Sequence, residues 1–203
     1  MLAPTNRIRI ALAFLVALVQ PAFADIEAPS TITMVPTECI AYWRAPGETA
    51  TDWNRVLSFA ACIQDASVEA VADAAMLPAL VDRFAERLLP SLTLYASAAQ
   101  NGPGPIKLRA VYQIGMAELD LMVRARLSIT PALRPELEKL LAPSAAVALL
   151  SFSIIDQVVT EDPTLAPDGV TAYMVRRARE LLVDLRRAWP EIPVHIQLAT
   201  ATP

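Results

Sequence analysis

The 203-residue chain predicts an all-α fold: about five to six helices in antiparallel hairpins, between an extended N-terminal arm and an extended C-terminal tail. Three observations carry this prediction. Apolar residues recur three or four apart, the helical period, from about residue 51 to Trp189. No strand-like segment alternates with a helical one, which excludes a parallel sheet. Glycine and proline, above all in Asn101-Gly102-Pro103-Gly104-Pro105, cut the apolar pattern into helix-length pieces.

The first 24 residues read as a cleaved secretory leader. Arg7 and Arg9 supply a basic start, residues 10–19 an unbroken apolar run, and Ala22-Phe23-Ala24 a small-x-small cleavage site. An apolar run of about ten residues is too short for a bilayer, which needs roughly twenty. Cleavage between Ala24 and Asp25 removes two arginines and no acid, taking the formal net charge from −4 to −6. Such a mature chain is periplasmic or secreted, mildly acidic, and without the clustered basic face of a nucleic-acid binder.

Residues 25–50, rich in Pro, Thr and Glu, form the arm. Thr51 or Asp52 caps the first helix of a domain over 51–189. Trp53, Val56, Leu57, Ala60 and Ile63 make its inward stripe, with Arg55, Phe59 and Cys62 opposite. Ser67 opens a short helix to Met76. Pro78 then suits the first turn of a longer one, running through Phe84 and Leu88 to about Gln100 with a kink at Pro90. Past the turn at 101–105, a long helix runs from about Ile106 to Leu127. Pro131 and Pro135 frame a connection and a short helix to about Leu141, and Ser144 caps another through Thr160. The loop 161–168 leads to Asp168, the cap of a last helix that ends near Trp189, before Pro190. The tail 190–203 is extended and β-like from Ile192. The longest apolar stretch after the leader, Ala145 to Ile155, is interrupted by Ser151 and Ser153 and followed by Asp156, so no second membrane-length segment is expected.

Cys39 and Cys62 are the two cysteines, and their spacing matches no redox, haem or zinc motif. An isolated pair in an oxidising compartment forms a disulfide. Since Cys62 faces away from the apolar stripe, that bond would draw the arm across the outer face of the first helix. Tyr42 or Trp43 would then rest on Phe59, or serve as anchors for a partner.

One stretch resembles the tetratricopeptide repeat, a helical hairpin that stacks into superhelices. Ser91, Tyr95, Ala98 and Pro103 match the small, aromatic, small and proline positions of its second helix and turn. After two extra residues, Val111, Ile114 and Gly115 match the first helix of a following repeat. The match covers residues 91–115 and ends at Glu118, where the repeat has an aromatic. The resemblance implies a surface that binds another protein or peptide, and no catalysis.

Few residues invite chemistry. Arg109, Gln113, Asp120 and Arg124 line one side of the long helix. Glu118 points the other way, among Val111, Ile114, Leu121, Met122 and Ala125. A carboxylate there must be paired, hydrogen-bonded or protonated. Arg83 or Arg87 from a neighbouring helix is the expected partner, and a ligand contact or a general acid with a raised pKa are the alternatives. The last helix carries Arg176, Arg177, Arg179, Arg186 and Arg187 outside a core stripe of Met174, Ala178, Leu181, Leu182, Leu185 and Trp189. Arg176 should pair with Glu180 and Asp184 with Arg187. Arg176 and Arg179 are also candidates for contact with an anionic partner. His195 is the one histidine, and no nucleophile elbow, phosphate loop, metal-ligand spacing or cofactor fingerprint accompanies it. Glu161, Asp162 and Asp168 lack the spacing of a calcium loop. The expected function is a noncatalytic helical interaction module with a protein partner and no cofactor. The alternatives are a carrier that encloses an apolar small molecule or lipid between helices, and an enzyme whose one plausible centre is Glu118.

Overall fold

The computed structural model describes Cys39 and residues 52–66, 77–166 and 168–193. The leader, the rest of the arm with Tyr42 and Trp43, the short helix expected at 67–76, and the tail with His195 lie outside the described residues. Among those described there are five α-helices and no strand: α1 Trp53–Ala66, α2 Leu77–Asn101, α3 Gly104–Leu127, α4 Arg134–Glu161 and α5 Gly169–Ala188. Two 3₁₀ turns, Pro131–Leu133 and Pro163–Leu165, lead into and out of α4.

The helix ends follow local chemistry. Asp52 Oδ1 accepts from the backbone N–H of Asn54 at 3.1 Å and of Arg55 at 3.3 Å, opening α1. Asp168 Oδ1 accepts from the Thr171 N–H at 2.7 Å, opening α5. Its carboxyl is held below the usual range, chiefly by that backbone bond and further by Arg109. Asp168→Asn should keep this cap and Asp168→Ala lose it, so thermal melts should rank the asparagine variant above the alanine one. Between α2 and α3 the chain reverses in two residues. A Cβ on Gly102 would meet the Ala98 carbonyl oxygen at 2.6 Å and Ile106 Cγ2 at 2.7 Å, so only glycine fits this corner. Lys107 Nζ donates to the Gln100 carbonyl at 2.9 Å, covering the end of α2.

One expectation is corrected. The break expected between Leu141 and Ser144 is absent, and a single helix runs from Arg134 to Glu161 with Pro143 inside it. Pro143 is exposed, so its ring and the missing N–H sit on the outer side. The inward positions continue across it without interruption: Leu137, Leu141, Ala145, Ala148, Leu149 and Phe152 are all fully buried. Their burial, at about 1.5–3 kcal/mol for each large side chain, outweighs the roughly 3 kcal/mol cost of an interior proline. Ser144, read as a cap, is therefore a mid-helix residue.

The merged segment Pro131–Glu161 is also long and apolar enough to cross a membrane, by length and composition alone. This corrects the expectation that no such segment follows the leader. Of its most apolar stretch, 56 % is buried within the protein, including Ser151 and Ser153.

Each helix packs on the next in the chain, and α1 also touches α3, α2 touches α4, and α3 touches α5. The most enclosed is α3. Gly115 is the point of closest approach: a Cβ there would meet the Phe152 ring carbons at 2.7 and 2.8 Å and Ser151 Cβ at 3.2 Å. Ion pairs tie the outer edges, with Arg126 bound through Nε and Nη2 to both oxygens of Glu138 at 2.7 Å each.

Cys39 and Cys62 are joined by a disulfide. Cys39 is fully buried and forms, with Phe59 and Ile63, a small apolar cluster apart from the main core, with Leu94 of α2 at its edge. Phe59, placed by its spacing on the outer side of α1, is thus only 2 % exposed. A Cys39→Ser/Cys62→Ser variant should lose about 3 kcal/mol of stability on the chain-entropy model, read as a lower urea midpoint.

Candidate functional site

The side of α3 predicted to carry Arg109, Gln113, Asp120 and Arg124 is a half-buried stripe in the structure. The same stripe, at steps of three and four residues, continues through Met116, Val123 and Leu127. Val123 is 49 % exposed and Leu127 80 %. The first turn of α5 is fastened to its start, because Arg109 Nη2 lies 2.7 Å from Asp168 Oδ2 and Arg109 Nε donates to Thr171 Oγ1 at 3.3 Å. Beside this anchor Tyr112 of α3 meets α5. Its phenol is pushed up by burial and by the neighbouring Tyr173, against an opposing pull from Arg177, with Glu180 adding to the rise. The Tyr112 ring in turn leans on Phe152, with centroids 6.0 Å apart.

On α5, Val170, Tyr173 and Val183 are each more than half exposed. Arg176 lies over the Tyr173 ring, 5.7 Å from its centroid. The pair expected between Arg176 and Glu180 is not formed. Arg177 takes Glu180 instead, at 2.8 Å, which leaves Arg176 to the ring. Asp184 does reach Arg187, at 3.9 Å. Arg179 is engaged on the surface, with Nε 2.6 Å from Asp156 Oδ1 and Nη2 donating to Thr160 Oγ1 at 3.1 Å, so it ties α5 to α4.

Glu118 is only 8 % exposed and lies on the other side of α3. Its carboxyl is pushed up to about 7, first by burial, with a side-chain hydrogen bond to Ser144 of α4 working the other way. Neither Arg83 nor Arg87 is among the groups acting on it, which corrects the expected ion pair. The residues thus divide in space. Glu118 belongs to the α3–α4 seam, the Cys39–Cys62 bond to α1, and Arg176 to the exposed face of α5. Tyr112, Tyr173 and Arg177 were missed as a group, since the helical wheel of each helix is legible but the pairing of two wheels is not.

Among the described residues no three His, Cys, Asp or Glu side chains come together in a way that could hold a metal ion. What the α3–α5 face offers is apolar area, two phenols and arginines held in place by acids. No family model, curated protein or solved structure matches this chain, so the tetratricopeptide resemblance of residues 91–115 rests on those residues alone.

Proposed function

We propose that the chain is a noncatalytic helical interaction module, exported to the periplasm or beyond, which binds a protein partner along the α3–α5 face. The observation that carries this reading is the distribution of exposed apolar side chains. Among the described residues, Val123, Leu127, Val170, Tyr173 and Val183 all lie on α3 or α5, and only Leu133 lies elsewhere. Exposed apolar and aromatic groups gathered on one side mark contact surfaces.

The order of packing supports the same reading. Contacts between α1 and α3 and between α3 and α5, with α2 against α4, are of the kind a stack of hairpins would make. Ser91, Tyr95 and Ala98, the positions shared with the tetratricopeptide repeat, are fully buried, as the hairpin of that repeat requires. Export is supported by the leader motif and by the disulfide, a bond that persists in oxidising compartments.

Native mass spectrometry of the protein from its own compartment tests this, with Leu127→Ala/Tyr173→Ala as the comparison. A complex of defined mass, lost in the double variant, is the expected result. A one-to-one small-molecule adduct that survives in the variant would overturn it in favour of the carrier reading.

A further inference from the structure

Four observations meet at one level of the α3–α4 seam, away from the face just described. Glu118 is almost fully enclosed there, and burial and the Ser144 hydroxyl are what set its pKa of about 7. Among the described residues, no charged group on the packed helices is among those acting on it: not Arg55 of α1, Asp82, Arg83, Glu86 or Arg87 of α2, Glu136, Glu138 or Lys139 of α4, nor Arg177 or Glu180 of α5. Pro143, next to Ser144, lacks the N–H that would bond the Lys139 carbonyl, so the front of α4 is joined to the remainder by a weakened stretch of backbone. Burial is lopsided about that point. Ahead of Pro143 only Leu137 and Leu141 of α4 are buried, whereas beyond it Ala145, Ala148, Leu149 and every residue over 151–155 are.

The front segment, 134–142, is otherwise latched to α3 by one partly exposed ion pair, Arg126 to Glu138. A sensor, a hinge and a latch therefore lie within a few turns of one another. We propose that Glu118 is a proton-operated release for the front of α4. With the carboxyl neutral, residues 134–142 lie closed on α3; when it ionises, they swing about Pro143 and admit water to the carboxylate. The physical reason is that a buried carboxylate without a cation is costly, and the protein relieves it by the cheapest opening available. The cheapest opening lies where few apolar contacts and one weakened backbone link hold the chain. This inference does not depend on the proposed function.

Peptide-resolved hydrogen exchange on the full disulfide-bonded protein tests it, at about pH 5.5 and about pH 8.5, with rates corrected for intrinsic exchange. Glu118→Gln, which keeps the shape and cannot ionise, is the reference. At the higher pH the wild-type segment 134–142 should exchange at least about ten-fold faster than in the variant. At the lower pH the two proteins should match, and residues 148–158 should match at both. Equal protection of 134–142 in the two proteins at high pH would overturn the proposal. So would a loss of protection spread evenly along α4, which would report general destabilisation and no hinge.

Discussion

Phe152→Ala should lower the unfolding free energy by about 3–5 kcal/mol, among the largest losses available to a single substitution in this fold. The ring is fully buried, leans on Tyr112, and fills the space above Gly115 so closely that no Cβ fits beneath it. Removing it leaves a cavity in the middle of the α3–α4 contact, where both backbones are held by packing on several sides. The neighbouring glycine makes the expectation sharper. In the wild type, Gly115→Ala should cost about 1–3 kcal/mol, since the new methyl drives into the ring. In the Phe152→Ala background the same methyl enters the cavity, and that cost should vanish or reverse. A double-mutant cycle by urea unfolding should therefore give a coupling of about 1 kcal/mol or more. Additive losses would mean that Gly115 and Phe152 are not in contact.

Glu118→Gln should stabilise the protein at high pH and change little at low pH. Burial pushes the folded carboxyl up to about 7 from its ordinary 4.5, so the folded state holds its proton where the unfolded chain has released it. The contribution of this one group to stability is therefore greatest below about pH 4.5, falls as the pH rises through the interval, and levels off above about 7. The full difference corresponds to about 3 kcal/mol. The glutamine variant lacks this slope, so the two unfolding curves should coincide near pH 4 and separate towards pH 8. Opening of the α4 front would cap the loss, and a smaller gap than about 3 kcal/mol then measures the free energy of that opening. Parallel curves across the range would show that Glu118 is not enclosed as described.

Residues that act on their immediate neighbours were the ones the sequence revealed. Asp52 and Asp168 start helices because a carboxylate two or three residues ahead of a free N–H has a partner whatever the tertiary fold. Gly102 and Pro103 end one helix and admit the next for equally local reasons, and Cys39 and Cys62 pair because nothing else in the chain competes for them. The misread residues share one cause. Pro143-Ser144 looks like the start of a helix when only near neighbours are considered, yet the packed positions on either side keep α4 continuous. That continuity frees the Ser144 hydroxyl from capping and brings it to Glu118, in place of the arginine expected there. Arg177 takes Glu180 at i+3 where Arg176 was expected at i+4, and Tyr112 of another helix feels both charges. Arg109 reaches Asp168 and Thr171 across 59 and 62 residues of chain, a pairing that no single helical wheel shows.

Photo-crosslinking from inside the cell tests the α3–α5 face most directly. A photoreactive phenylalanine analogue at Tyr173 would be compared with the same group at exposed Glu86 of α2. The expected result is one discrete protein adduct from position 173, absent from position 86 and abolished by Leu127→Ala in the same chain. Equal capture from both positions, or adducts with lipid alone, would contradict a protein-binding role for this face.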